Sequence, residues 1–546
     1  MCLEQEFPIG GSVIRTAAGA GENRVRCGAQ YQLRQFLRQD SIVRQLLGHD
    51  LASLAGLGKH QGGGGVTGCV HYNTCIIPVY LDPQGRYIRG MTHLRDMLSN
   101  FLGDRLITAE TARVAYTQTE GHHPGELPAL VAQPVSIEEV RQLVRAAAAQ
   151  GVPIVGYGAG TSLEGNAAAV TSDTLVVDFS RMNEIVEISP EDLLVVVQPG
   201  VTREQLNEEL RTTGLFFPVD PGANATVGGM IATRASGTTT VRYGNMRDNL
   251  LALKVVTATG DLIQTGTRAR KSAAGYDLTH LFAGSEGTLG LIVEATLRLH
   301  GQPEQIVSAS WDFASIEGAV DTVIQTIQSG IAIARMELLD TRAMIACNRQ
   351  SHLGLPECPT LFLEFHGSGA SISEQLEIVR VLGDANGGGT LRSATATEER
   401  NLLWKARHHL LWASRSMVPE AQAWITDICV PISRLAEAIS RAETMIEASG
   451  LFAPILGHVG DGNFHVFFIL HPDDKPSWQK AAVINDAMID HALSVGGTCT
   501  GEHGIGLGKR DSLLRENGTA SVEIMRQLKQ ALDPEGIFNP GKIFAA

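Results

Sequence analysis

Long apolar runs are missing from this chain, and none approaches the roughly eighteen residues that a membrane-spanning helix needs. A basic excess is missing too. The 44 Lys and Arg face 58 Asp and Glu, a formal charge of −14, so nucleic acid and an anionic bilayer are poor partners on electrostatic grounds. The opening MCLEQEFPIG has neither the basic head nor the apolar stretch of a secretory signal. Cysteines are few: eight in 546 residues, scattered without a framework of close spacings, which suits a reducing compartment. Cys69 and Cys75 flank His71, but two sulfurs and one imidazole make a poor zinc site. These absences point to the cytoplasm, with at most a peripheral association with the inner membrane. What the chain does have is 44% hydrophobic residues and enough length for more than one core.

Residues 1–92 read as an N-terminal extension without legible chemistry. YQLRQFLRQDSIVRQLLGHDL predicts a short amphipathic helix, and GLGKHQGGGGVTG a flexible glycine-rich segment. From about residue 127 the pattern becomes regular. ALVAQP predicts a strand, SIEEVRQLVRAAAAQG a helix opened by a Ser cap with Glu three residues on, and VPIVGYG a second strand. After residue 301 strands of mixed polarity alternate with amphipathic helices, as in QIVSASWDF, EGAVDTVIQTIQSG, IARMELLD and TLFLEFHG. Such a series predicts an α+β domain with an antiparallel sheet covered by helices. A C-terminal helix, SVEIMRQLKQALDPEGIFNPGKIF, is expected to end at its Asp-Pro and Asn-Pro breaks in a tail that packs back on the first domain.

Four glycine-rich stretches lie in the first domain: GYGAGTSLEGN at 156–166, PGANATVGGM at 221–230, RYGNMRDN at 242–249 and FAGSEGTLGLI at 282–292. Glycines let backbone N–H groups approach a pyrophosphate, and the hydroxyls of Thr161 and Ser162 add donors. Three familiar motifs are excluded by spacing. A dinucleotide fingerprint starting at Gly158 would place its last glycine where Leu163 stands, no Lys follows as a nucleotide-triphosphatase loop requires, and a nucleophile elbow fails at Ala283.

VPIVGYGAGTSLEGN, PGANATVGGMIATRASGTTTVRYGNMRDN and FAGSEGTLGLIVEATLRL resemble the FAD domain of the vanillyl-alcohol oxidase and p-cresol methylhydroxylase superfamily. The chain after them is similar to the C-terminal domain of the FAD-linked oxidases. WKARHH and ITDICVPISRL resemble its cytochrome-type D-lactate dehydrogenase branch. The resemblance covers roughly residues 93–546. It implies a two-subdomain FAD-binding domain at 93–301, an α+β substrate and metal cap at 302–510, and a tail at 511–546. It further implies non-covalent FAD with its pyrophosphate on Gly156, Tyr157, Gly158, Ala159, Gly160, Thr161 and Ser162. Pro221, Gly222, Ala223, Thr226, Gly228, Gly229, Ser236, Gly237, Gly287, Gly290, Ile292 and Asn539 would surround the rest.

GHVGDGNFHVFF, at 457–468, sets two histidines around a Gly-Asp-Gly turn. If the flanking runs are strands, His458 and His465 can face one another, and CTGEHGIG can add Glu502 from a third segment. Two imidazoles and one carboxylate leave room for a substrate, the pattern of a catalytic metal site. Gly501 and Gly504 permit a kink that lets neighbouring Glu502 and His503 both turn inward. The resemblance implies the same roles: His458, His465 and Glu502 as ligands of a divalent Zn, Mn or Fe, and His503 as the base. It also implies Arg407 as the grip on the substrate carboxylate, with His408 and Arg415 as further candidates.

The reaction these parts imply moves hydride from C2 of a 2-hydroxy acid to flavin N5, with metal assistance and a His base, giving the 2-oxo acid. VPEAQAWITDICVP contains no Lys or Arg, and Phe467 lies two residues after His465, so an apolar monocarboxylate such as lactate is expected over 2-hydroxyglutarate. The D configuration comes from the resemblance alone. A glycolate oxidase-type subunit, a 2-hydroxyglutarate dehydrogenase, an ether-lipid synthase-type flavin transferase and a metallohydrolase are the competing readings. The electron acceptor stays open among cytochrome c, a quinone and an electron-transfer flavoprotein, as does assembly into a homodimer.

Overall fold

The computed structural model describes residues 91–545 and, before them, the backbone of the strands Leu3–Ile9, Ser12–Ala18, Val66–Tyr72, Cys75–Leu81 and Tyr87–Ile88. The first two strands pair antiparallel, and the last three form an antiparallel sheet in chain order. The helix expected at 31–51, the glycine run that follows it, and the side chains of Cys69, His71 and Cys75 lie outside the described residues. The chain divides into two compact units, residues 1–100 with 149–152 and residues 101–148 with 153–546. The four glycine-rich stretches from 156 to 292 and the histidines at 458, 465 and 503 fall in the second.

That unit is built on three main sheets. The first runs in the order Leu106–Ile107, Leu130–Ala132, Leu175–Asp178, Ile154–Tyr157, its last three strands parallel. Leu130, Val131, Ala132 and all of Leu175–Asp178 are buried, as a strand covered on both faces requires. The helix Ile137–Gln150 starts where its cap predicts. Ser136 Oγ accepts the Glu139 N–H at 3.3 Å, and the Glu139 carboxylate takes the Val135 N–H at 2.9 Å. The second sheet is antiparallel, in the order Ile185–Ser189, Leu194–Val197, Leu291–Arg298, Leu250–Val256, Leu262–Gly266.

The third sheet forms the second half of the unit. Its antiparallel order is Gly388–Ala394, Gln305–Phe313, Thr360–Gly367, Arg335–Leu339, Ile455–His458, Asn463–Leu470, Gln422–Ile425, with Ile428–Cys429 also on Asn463–Leu470. Side chains alternate between its faces. Phe464, Val466, Phe468 and Leu470 join one core with the helices Ile316–Gln328, Leu435–Ser449 and Lys475–Ser494. Phe467 and Ile469 join another with the helices Thr341–Ser351, Thr397–His408 and Leu410–Ser416. His465 has the parity of Phe467, and His458 that of Leu456 in the same core. Both histidines therefore leave the sheet on one side.

The last helix begins earlier than its apolar pattern suggests. It spans Arg510–Leu532 and is broken at Gly518 (φ 72°), a left-handed position that glycine occupies without Cβ strain. After Pro534 the chain returns to the first sheet, where the Ile154 N–H donates to Ile537 O and the Asn539 N–H to Ile154 O, each at 2.7 Å.

Candidate active site

The two histidines around the Gly-Asp-Gly turn do lie on a hairpin. Ile455–His458 and Asn463–Leu470 pair antiparallel around a one-turn 3-10 segment, Val459–Asp461, closed by Gly462 in the left-handed region at φ 77°. A Cβ there would stand 2.2 Å from Val430 O, so the turn accepts only glycine. The ring centroids of His458 and His465 lie 5.4 Å apart. The third segment is a bend instead of the kinked strand considered above. It is held from behind by Asp427, whose Oδ2 accepts the N–H groups of Glu502 (2.8 Å) and His503 (2.9 Å) and the Thr500 hydroxyl (2.7 Å). Anchoring consecutive N–H groups on one oxygen turns both side chains into the cavity.

Glu502 Oε1 then stands 3.4 Å from His458 Nε2 and 3.3 Å from His465 Nε2. Two ligand atoms each about 2.1 Å from a tetrahedral ion are roughly 3.4 Å apart, so this donor set fits a divalent metal. The outer nitrogens are engaged as such a site needs: His458 Nδ1 bonds Glu337 Oε1 at 2.6 Å, and His465 Nδ1 bonds Thr426 O at 2.9 Å. Burial opposes charge on His458, but Glu337 and Glu502 overcome it and hold the imidazole well above its usual range. Glu502 is held well below the carboxylate range, against its burial, mainly by His458. Asp427, His465 and His503 form a second triad of ligand type, but Asp427 is saturated by N–H and O–H donors and serves as a brace.

His503 stacks on His465, with centroids 5.0 Å apart and planes 12° apart, and its Nε2 lies 3.8 Å from Glu502 Oε1. Its Nδ1 is buried without a hydrogen-bond partner among the described residues. Burial lowers its pKa, only partly countered by Asp427. Arg407 lies at the same cavity, its Nε and Nη2 resting on Glu337 Oε2 at 2.8 and 2.7 Å. One buried carboxylate thus orients both His458 and Arg407, through one oxygen each. His408 also lines the cavity, whereas Arg415 does not: its Nε donates to Ala421 O and its guanidinium sits 5.2 Å from the Trp412 ring.

Three of the four glycine-rich stretches open into this same cavity, which has a volume of about 580 Å3, whereas 242–249 does not line it. Gly156 through Ser162, Pro221, Gly222, Ala223, Thr226, Gly228, Gly229, Gly287, Gly290 and Ile292 line it; Ser236, Gly237 and Asn539 do not. Gly237 instead leaves room for Asp220, 2.4 Å from where its Cβ would be, and Asn539 Nδ2 donates to Asn166 O and Glu286 O. The N–H groups of Ala159, Gly160, Thr161 and Ser162 donate to no acceptor among the described residues, and Ser162 Oγ is buried without a partner. Unused donors on a glycine loop fit the pyrophosphate of a dinucleotide such as FAD. A Cβ on Gly158 would stand 2.2 Å from Thr226 Oγ1. Gly158→Ala is therefore expected to cost about 1–3 kcal/mol, a roughly 5- to 150-fold weaker hold on FAD by fluorescence titration.

Several parts of the site escape sequence reading. Glu337 sits in IARMELLD, an acid between apolar neighbours of a central strand, and Asp427 in ITDICVPISRL. Lys509 Nζ bridges Glu164 Oε1 (3.3 Å) and Asp427 O (3.1 Å), joining the glycine loop to the brace of the histidine segment. Glu286 accepts the N–H groups of Ile505 and Gly506 at 2.7 and 2.8 Å, a second tie between the same regions.

Residues 128–266 match the FAD binding domain family and residues 302–543 the C-terminal domain of FAD linked oxidases. The chain is 46% identical over 445 residues to a protein of Danio rerio described as a probable mitochondrial D-lactate dehydrogenase, covering 81% of this chain and 89% of that one. It is 43% identical to the mitochondrial D-lactate dehydrogenase [cytochrome] of Arabidopsis thaliana, covering 84% and 81% respectively. The crystal structure of p-cresol methylhydroxylase shares the fold, at a TM-score of 0.70 and 17% identity over 84% of this chain and 97% of that one.

Proposed function

The chain belongs to the FAD-linked oxidases, and on that footing we propose that it oxidises a short, apolar-tailed D-2-hydroxy monocarboxylate such as D-lactate to the 2-oxo acid. A single observation carries the reading: the glycine loops and the His458–His465–Glu502 set line one cavity. FAD bound on the loops at 156–162 and 221–229 would supply the hydride acceptor, N5, for the hydrogen on C2. A divalent ion on His458, His465 and Glu502 would supply positive charge that lowers the pKa of the substrate hydroxyl.

The chain's own residues do the rest. Arg407, held by Glu337, grips the substrate carboxylate and orients C2. His503 Nε2 takes the hydroxyl proton, and its lowered pKa keeps it unprotonated at neutral pH. Ile425, Leu456 and Phe467 face the substrate tail and keep water away. Arg407 is the only Lys or Arg among the described lining residues, so a second carboxylate would lack a partner. That favours lactate over 2-hydroxyglutarate. Electrons leave to an acceptor for which the Arabidopsis relative's name suggests a cytochrome, with a quinone and an electron-transfer flavoprotein as alternatives. No helix of the described residues is long and apolar enough to cross a membrane.

The deciding experiment is an absorption spectrum of the purified protein. Oxidised flavin bands bleached without air by D-lactate, and far more slowly by D-2-hydroxyglutarate, are expected; a colourless protein, or bleaching by the dicarboxylate alone, would overturn the reading. Two titrations extend it. Metal binding must displace the proton on His458, so metal affinity should fall about tenfold per pH unit below that group's raised pKa, with proton release seen in a weakly buffered calorimeter. The acid limb of kcat/KM should lie below pH ~6.5, since burial depresses His503 and a nearby cation depresses it further.

A further inference from the structure

A second cavity, of about 630 Å3, adjoins the first and shares Pro221 to Asn224, His408 and Trp412 with it. The helix Thr397–His408 contributes Arg400 and Lys405, and the helix Arg203–Leu210 contributes Arg203. Arg335 is already neutralised, with Nη2 3.0 Å from Asp220 Oδ2 and Nε 3.5 Å from Glu364 Oε1. Among the described residues the one carboxylate that Arg203 reaches is Glu204, at 3.8 Å. Arg400 and Lys405 have no carboxylate partner among the described residues. Arg400 donates through Nη1 to Ile306 O at 3.1 Å and through Nη2 to Thr397 Oγ1 at 3.0 Å. The four Lys and Arg of this lining outnumber its three carboxylates, in a chain whose formal charge is −14.

The hydrogen-bond inventory points the same way. Lys405 is exposed and its Nζ makes no hydrogen bond or ion pair among the described residues, while Arg400 spends its Nη donors on a carbonyl and a hydroxyl and meets no carboxylate. An arginine nitrogen can only donate. A concavity with an unpaired ammonium and a local positive surplus selects an oxygen anion. Burial, and then Arg407, hold His408 at about 4, so this shared wall is neutral at physiological pH and does not trap an anion passing it.

We propose that the second cavity is an anion subsite for a small carboxylate, where Arg400 and Lys405 hold the incoming 2-hydroxy acid before it passes His408 and Trp412 into the active cavity. The identity of the acid rests on the function proposed above; the preference for a carboxylate anion rests on the cavity itself.

2-Hydroxyisobutyrate tests it, because it carries the acid and hydroxyl but no hydrogen on C2 and so binds without being oxidised. Titrated calorimetrically into the FAD-loaded full chain, it is expected to show two binding events in the wild type. The Arg400→Gln/Lys405→Gln variant should show one, and Arg400→Lys/Lys405→Arg, which keeps both charges, should show two. In steady state, the neutralised variant should lose about five- to tenfold in kcat/KM for D-lactate at low ionic strength, with kcat changed less than twofold and the deficit shrinking as salt is added. The same number of binding events in wild type and neutralised variant overturns the subsite, as does loss of the second event in the charge-preserving variant. If D-lactate proves not to be a substrate, the calorimetric comparison still decides the subsite, so the two readings fail separately.

Discussion

Replacing His503 with alanine is expected to slow reduction of the bound flavin by D-lactate about 100- to 10,000-fold, the range for losing a positioned base. Flavin and metal contents should stay at wild-type levels. The set proposed to hold the metal is His458, His465 and Glu502, and His503 stands beside it with Nε2 3.8 Å from Glu502. The loop itself survives the change, because Asp427 grips the backbone N–H of residue 503 and needs no imidazole. Anaerobic stopped-flow absorbance would measure the rate, and added imidazole should restore part of it through the space the ring vacates. A loss of only a few fold, with no rescue, would mean that another group accepts the proton.

The Asp427→Asn variant should lose about 3–5 kcal/mol of stability, the usual cost of breaking a buried, hydrogen-bonded charge system from one side. The side chain of Asp427 is fully buried, and it accepts from Asn463 Nδ2, Thr500 Oγ1 and the N–H groups of Glu502 and His503. An amide at this position would turn a donor toward other donors and leave Glu164 as the one carboxylate beside buried Lys509 among the described residues. Burial opposes the charge on Asp427, but His503 and Lys509 hold its pKa far below the usual range. Its contribution is therefore present above the unfolded carboxylate pKa and is lost only as pH falls through the depressed folded value. A urea denaturation curve would show the change as a lower midpoint. Metal affinity should also drop about 10- to 100-fold as the bend carrying Glu502 loosens. A midpoint shift worth less than about 1 kcal/mol would show that the bend does not depend on this carboxylate.

Much of the fold is legible in local pattern. The Ser136–Glu139 signal marks a helix start that the structure places at Ile137. The alternation in NFHVFFIL is that of a strand with a core on either side, and it puts His465 on the face of Phe467 and Ile469. The glycines at 158, 160 and 462 are readable because each meets a close neighbour or a positive φ that a side chain would not tolerate. The last helix shows the limit of such reading. Its apolar pattern starts at 521, but eight earlier residues from Arg510 to Asn517 are also helical, on the far side of the Gly518 break. A break of phase hides a helix from a periodicity argument.

The residues that organise the site were not legible, and their sequence separations explain why. Glu337 and His458 are 121 positions apart, Glu286 and Gly506 are 220 apart, and Asp427 and Glu502 are 75 apart. The sequence by itself determined what each segment could become: strands with a set parity, turns that demand glycine, imidazoles and acids of ligand type. Which oxygen each imidazole would meet depended on the order of strands in the third sheet, where Arg335–Leu339 lies beside Ile455–His458 and pairs Glu337 with His458. Only the tertiary structure decided that, because strand parity is a property of a few neighbouring residues, while the partner of a buried charge is chosen by the packing of the whole domain.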